Sequence, residues 1–78
     1  MRERSGDPVE VECYAGYRGE ETPRRFTLAG RRVGVVAVEA RSREPRWRVF
    51  RVRGDDGREH RLRQAVDSGQ WELMEDDR

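Results

Sequence analysis

The sequence predicts an all-β fold: a small antiparallel SH3-like barrel, or a strongly bent sheet, of five to six strands. Apolar and polar residues alternate over several short segments, which is the period of a half-buried strand. Turn signals rich in glycine, proline and aspartate recur about every 8–12 residues. A closed or nearly closed barrel also hides strand edges that a chain of 78 residues could not otherwise cover.

The first two strands are expected on either side of a wide loop. In residues 9–14 (VEVECY) valine and cysteine alternate with glutamate. In residues 24–28 (RRFTL), which follow Pro23, Phe26 and Leu28 share one face. Each segment therefore offers one apolar face to a core.

The third strand is expected at residues 31–40 (RRVGVVAVEA), after a turn at Ala29-Gly30. This segment is the most β-branched of the chain, and both of its faces are apolar. It is therefore predicted to be central or to curve around a barrel, with Gly34 as the point where it bends. Residues 41–45 (RSREP) are expected to form a polar loop.

A hairpin is expected in the second half of the chain. In residues 47–53 (WRVFRVR) the apolar phase shifts between Val49 and Phe50, which predicts a bulge in that strand. Residues 54–57 (GDDG) are a strong turn signal, because aspartate and glycine adopt the left-handed conformations that a tight turn needs. The chain then returns as a strand over residues 58–63 (REHRLR).

The last strand is expected at residues 70–74 (QWELM), with its tryptophan and leucine directed inward. In the strand before it, His60 and Leu62 share one face. A helix is also possible at residues 62–69 (LRQAVDSG), but one short amphipathic turn is the most that it could form. A turn signal in that segment leads the chain into the last strand.

Length and composition limit the organisation to one domain. We expect it to span residues 9–74, between a flexible N-terminus at 1–8 and a frayed acidic tail at 75–78. Cys13 is the sole cysteine, so the sequence has no internal disulfide framework. Neither a signal-peptide pattern nor an apolar run of about 20 residues is found. We expect a cytoplasmic protein, with no membrane partner, that is a monomer or a weak dimer.

Charge is uneven along the chain, although the formal net charge is only +1. Residues 1–23 have a net charge of −3, residues 24–63 of +8, and residues 64–78 of −4. All 17 basic residues are arginine. Codon bias explains the absence of lysine more simply than selection for bidentate anion recognition, for which arginine is suited.

The sequence predicts no enzyme and no cofactor. Cys13 and His60 are the sole natural nucleophile–base pair, without an evident third group to orient the base. Cys13 is on the apolar phase of its strand, where a buried and inert thiol is expected. One cysteine and one histidine cannot supply the three or four ligands of a metal site, and Asp55 and Asp56 are turn residues.

Nucleic acid is the first candidate partner. The central basic segment interleaves arginines with Trp47 and Phe50, a mixture that single-strand-binding barrels use. The candidate binding residues are Arg31, Arg32, Arg46, Trp47, Arg48, Arg51 and Arg53. The competing interpretation is a solvated polar face, neutralised by acidic residues from the two flanking segments.

A protein or peptide partner is the alternative, through the loop in CYAGYRGEETPRRF (13–26). Aromatic residues beside acidic ones are typical of grooves that dock extended peptides. The residues proposed for this loop are Tyr14, Gly16, Tyr17, Gly19, Glu20 and Glu21. The structural interpretation is that the tyrosines clamp a wide loop while the glycines adopt conformations that other residues avoid.

The motifs YAGYRGEE (14–21), FRVR (50–53), DDG (55–57), LR (62–63) and WEL (71–73), with Pro23 and Phe26 after the first of them, together resemble a group of small stand-alone bacterial proteins of unknown function. A weaker pattern, W…FRV…DG…L…G-x-W-x-L, is similar to a small C-terminal module of inactive Y-family polymerase-like proteins in bacterial DNA-damage mutagenesis. The resemblance implies no known activity. The chain departs from the pattern at Ser42, at His60 and at Gln64-Ala65, where an aromatic residue, a tyrosine and a His-Asp pair are expected.

We therefore expect a non-enzymatic binding module whose partner is nucleic acid or a nucleic-acid-associated protein. A peptide-interaction module is the rival hypothesis. A structural or regulatory subunit without a small ligand is the third.

Overall fold

The protein, described here by a computed structural model for residues 6–14 and 22–74, forms one antiparallel sheet that curls into a nearly closed barrel. The all-β prediction is confirmed, and the described residues contain no helix. Along the sheet the strands follow the order β1-β7-β6-β5-β4-β3-β2. The seven strands are β1 (Asp7–Pro8), β2 (Glu10–Cys13), β3 (Pro23–Leu28), β4 (Arg31–Arg43), β5 (Trp47–Gly54), β6 (Glu59–Ala65) and β7 (Trp71–Met74).

The N-terminal segment brings the two edges of the sheet together. β1 pairs with β7, whereas β2, which follows after one residue, pairs with β3 at the other edge. Between them, the backbone N–H of Val9 donates to the carbonyl of Trp71 at 3.2 Å. The sheet begins at Asp7, so two residues of the segment that we expected to be a flexible N-terminus are paired in it.

The core lies inside the barrel and is small. Its buried residues are Phe26, Val33, Phe50, Val52, Leu62, Trp71 and Leu73. The rings of Phe50 and Trp71 are 5.5 Å apart between centroids and tilted by 40°. The inward placement expected for Trp71 and Leu73 is confirmed, because alternation with a period of two turns every second residue of a strand inward.

β4 is bent by two irregularities in its pairing with β5. In each, β4 advances two residues while β5 advances one, which leaves Val36 and Glu39 as the extra residues. The prediction of a bulge at Val49–Phe50 is wrong, because β5 pairs with β6 residue for residue from Trp47 to Arg53. The half-buried Val49 lies on the outer face and does not break the alternation.

The turns follow the sequence signals more closely. Ala29 and Gly30, with φ of 53° and 81°, form the two-residue loop between β3 and β4. In the predicted 54–57 hairpin, the N–H of Gly57 donates to the carbonyl of Gly54 at 3.0 Å. The polar loop expected at 41–45 is shorter than predicted, since β4 continues to Arg43.

The short helical turn allowed at residues 62–69 is not formed. β6 continues to Ala65, where it pairs with Trp47 of β5, and a turn leads from there to β7. Pairing with strands on both sides satisfies the backbone groups of β6 more fully than one isolated helical turn would.

Candidate nucleic-acid interface

The regular register of β5 divides the arginines proposed to bind nucleic acid between two faces. Arg51 and Arg53 lie with Trp47 on the outer face, whereas Arg48 lies with Phe50 on the face directed to the core. Arg48, Arg51 and Arg53 therefore do not flank both aromatic rings on one surface. A bulge between Val49 and Phe50 would bring the three arginines to one face, and the described strand has none.

Arg41 and Arg48, on the two strands of the β4–β5 hairpin, lie over the ring of Phe50. The guanidinium carbons of Arg41 and Arg48 lie 5.7 and 5.5 Å from the centroid of its ring. Arg48 also donates to Oε1 of Gln64 at 2.9 Å. In the sheet, Arg48 of β5 pairs with Arg43 of β4. Because Phe50 is only 2% exposed, no nucleic-acid base can stack on it.

The outer face brings together two arginines that are ten residues apart in sequence. Arg51 on β5 lies directly opposite Arg61 on β6, and both side chains are exposed. We call these two residues the outer arginine pair. Within the described part of the chain, neither forms an ion pair with a carboxylate. Like charges opposite each other destabilise a sheet, so an anion placed between them would relieve the repulsion.

Two cavities meet at the outer arginine pair. The smaller, of about 150 Å³, has Ala40, Ser42 and Val49 beside the pair. The larger, of about 500 Å³, adds Arg58 to the pair, with Leu28, Glu59, His60, Leu73 and Met74 as its other lining residues. Three guanidinium groups thus border the larger cavity, and small side chains leave the sheet accessible beside the smaller one.

Trp47 is fixed on the same face by a ladder of three side chains. The guanidinium carbon of Arg63 lies 3.7 Å from the centroid of the indole ring. The same guanidinium group donates to Oε1 of Glu72 through Nε at 2.9 Å and Nη2 at 2.7 Å. All three side chains are half-buried, so the ladder presents a partly exposed surface of ring and guanidinium planes.

Acidic residues offset part of the positive charge of the outer face. Nη2 of Arg53 lies 2.9 Å from Oε2 of Glu39. The pKa of Glu39 is lowered, because its carboxylate shares a hydrogen bond with Glu59 and accepts another from Arg53. Arg51 adds a smaller electrostatic contribution to that lowering. Arg53 is therefore engaged locally, and the outer arginine pair is the more accessible cationic feature.

The other predicted arginines lie at two turns. Arg46 is exposed at the tip of the β4–β5 hairpin, where its carbonyl accepts a hydrogen bond from Val66 at 3.0 Å. Arg31 and Arg32 are exposed directly after the β3–β4 turn. Arg31 pairs with Leu28, which lines the larger cavity. Arg31, Arg32 and Arg46 line neither of the two cavities at the outer arginine pair.

Only the base of the proposed peptide loop is described. The side chain of Tyr14 is 54% exposed, and the guanidinium carbon of Arg24 lies 5.6 Å from the centroid of its ring. The N–H of Tyr14 donates to the carbonyl of Thr22 at 3.1 Å, which closes the base of the loop. The remaining residues proposed for this loop lie outside the described residues: Gly16, Tyr17, Gly19, Glu20 and Glu21.

His60 has structural contacts. Its Nε2 lies 3.0 Å from Oδ2 of Asp56, and its ring meets that of Phe26 edge-on at 5.1 Å. Cys13 is half-buried at the end of β2. Across residues 6–14 and 22–74, no group of three or more histidine, cysteine, aspartate or glutamate residues is placed to hold a metal ion. The same ranges contain no helix long and apolar enough to cross a membrane.

Sequence reasoning missed Arg58, Arg61 and Arg63, which lie on the return side of the hairpin. The signal was present, because a turn at residues 54–57 folds β6 back along β5. That pairing brings Arg61 opposite Arg51 and sets Arg63 diagonally from Trp47. Trp47 and Phe50 are neighbours of the β5 arginines in sequence, whereas the arginines of β6 come beside them only through the pairing of the two strands.

Comparisons with known proteins do not identify a relative. Scans against protein-family models, curated proteins and solved structures each find no match.

Proposed function

We propose that this protein is a non-enzymatic module that binds single-stranded nucleic acid on the outer face of β4, β5 and β6. The observation that carries the proposal is the outer arginine pair: two exposed guanidinium groups directly opposite each other, without a carboxylate partner among the described residues. A phosphodiester group supplies the missing negative charge.

Arginine suits this role because its planar guanidinium group donates two parallel hydrogen bonds to phosphate oxygens. Arg58 lines the larger cavity with the pair and provides a further contact for the backbone. On the other side of the pair, Ala40 and Ser42 are small enough for a sugar or base to approach the sheet.

Trp47 and Arg63 supply the stacking surface. Bases of an unpaired strand stack on aromatic rings and on guanidinium planes, and each base contributes about 1–3 kcal/mol. Glu72 holds Arg63 in place by two hydrogen bonds to one oxygen, so the ladder does not have to be ordered when a ligand binds. A duplex keeps its bases inside and cannot use this surface, which favours single strands.

The net charge of +1 indicates modest affinity that depends strongly on salt. With about three phosphate contacts, the slope of log K against log salt concentration should be near −2 for a single strand. The test is a titration of fluorescently labelled single-stranded oligonucleotide at several salt concentrations, with the wild type and with Arg61→Ala.

Arg43→Ala is the matched control for that titration. It removes the same charge from an exposed arginine that lies on the other face of the β4–β5 hairpin. We expect Arg61→Ala to weaken binding about tenfold and to reduce the salt slope by about 0.7, while Arg43→Ala changes both little. Equal effects of the two substitutions, or no binding at low salt, would refute the proposed interface.

A further inference from the structure

We infer that a second site lies at the seam of the barrel, where an extended peptide with alternating apolar and basic residues adds to β2 as an extra strand. The seam is a groove of about 540 Å³ between β2 and the start of β7. Residues 9–12 line it on one side, with Arg25 and Thr27 of β3 beside them, and Gln70 and Trp71 line it on the other side. The groove shares no lining residue with the two cavities at the outer arginine pair.

Val11 of β2 offers backbone hydrogen-bonding groups to this groove. Among the described residues, β2 is the last strand of the sheet and pairs with β3 alone. The N–H of Val9 is directed to β7, where it donates to Trp71. Because the bonding direction alternates along an antiparallel strand, the N–H and C=O of Val11 point to the same side. Beyond Val9, the described residues show no backbone hydrogen bond between β2 and β7, the start of which lies across the groove.

The side chains around this edge specify what the added strand must carry. Val9 and Val11 are half-buried against the core and, with Trp71, favour apolar residues on the inward face of a peptide. Glu10 and Glu12 are exposed on the other face and favour basic residues there. Glu12 is already 3.0 Å from Arg25, whereas Glu10 has no ion pair within the described residues, so Glu10 is the main charge determinant.

The same charges argue against a second copy of this chain as the occupant. Two β2 edges paired antiparallel would bring the glutamates of one copy beside those of the other. Like charges on paired strands are unfavourable, and charged side chains on an edge strand protect it against self-association. The edge therefore selects a basic partner strand, by the main-chain mode of peptide recognition.

The test uses a labelled peptide of alternating valine and arginine, with an alternating valine–glutamate peptide as its control. Two further versions are N-methylated, one at every valine and the other at every arginine. In an added strand only one of these two sets of N–H groups faces β2. We expect one methylated peptide to lose affinity about fivefold or more while the other binds like the parent.

Two protein variants complete the experiment. Glu10→Arg reverses the charge at the groove, and Glu44→Arg reverses an exposed charge at the distant tip of the β4–β5 hairpin. We expect only the first to weaken binding of the valine–arginine peptide, with both variants retaining the wild-type far-UV circular dichroism spectrum. The inference is overturned by equal loss with both methylated peptides, by equal effects of Glu10→Arg and Glu44→Arg, or by no binding of the parent peptide. A dimer that Glu10→Arg abolishes would also overturn it, since the occupant would then be a second copy.

Discussion

The two hairpins that share β5 use their charged residues in opposite ways. At residues 54–58, the side chain of Asp56 accepts a hydrogen bond from the backbone of Arg58 at 3.0 Å and also contacts His60. At the 44–47 hairpin, two backbone hydrogen bonds between Glu44 and Trp47 hold the turn. Arg46, the one arginine of this second turn, remains exposed. A charged side chain thus holds the first turn, whereas backbone hydrogen bonds hold the second.

The 54–58 hairpin also packs closely against β4. The N–H of Asp55 donates to the carbonyl of Gly34 on β4 at 2.8 Å. A Cβ atom at Gly54 would lie 2.6 Å from Cγ1 of Val33 and 2.6 Å from Oδ1 of Asp56. No side chain fits at residue 54 unless the side chains of Val33 and Asp56 shift.

The largest expected effect is therefore the loss of stability in Gly54→Ala. Overpacking against the buried Val33 should lower the free energy of unfolding by about 2–3 kcal/mol. Gly57→Ala is the control in the same turn: its φ is +82° but nothing lies within 4 Å of the added Cβ. Its cost should be backbone strain alone, about 1 kcal/mol. Urea denaturation measures both, and equal losses would show that close approach of the strands does not govern this hairpin.

A second comparison, within β6, separates a structural arginine from a binding one. Arg63 contacts Trp47 and Glu72, so Arg63→Ala should destabilise the protein by about 1 kcal/mol. Arg61 faces Arg51, so Arg61→Ala should leave stability unchanged or raise it by about 0.2–1 kcal/mol. The same denaturation experiment tests the pair. A clear destabilisation by Arg61→Ala would mean that its side chain supports the fold.

The sequence was sufficient for features that depend on local chemistry. Alternation placed Phe26, Leu62 and Leu73 inward, and glycine with aspartate marked the turn at residues 54–57. The outer arginine pair was within reach as well, since that turn determines the register of β5 and β6. Its constituent residues are close in the hairpin although they are separated in sequence.

Features that depend on distant contacts were not predictable from local patterns. The bends in β4 follow from fitting one 13-residue strand to β3 at one end and β5 at the other. The Trp47–Arg63–Glu72 ladder needs the registers of two hairpins at once. Closure of the barrel by residues 7–13 joins two edges whose partners are far apart in sequence. Each of these depends on packing that no short window contains.

The smallest expected effect concerns pH and tests whether charge, rather than shape, holds the 54–58 hairpin. The pKa of Asp56 lies below its ordinary value of 3.8, first because its carboxylate accepts the N–H of Arg58 and then because it contacts His60. A depressed carboxyl pKa contributes stability above the ordinary value and loses it as the pH falls through the folded-state value. Asp56→Asn keeps an acceptor oxygen but removes the charge, so it should be less stable than the wild type at pH values above about 5.

The difference in stability between the two proteins should shrink as the pH falls below 3.8 and disappear once the wild-type carboxyl is protonated. Urea denaturation of both proteins across this range provides the measurement. A difference that stays constant down to the lowest pH would assign the hairpin's stability to the shape of the side chain and not to its charge.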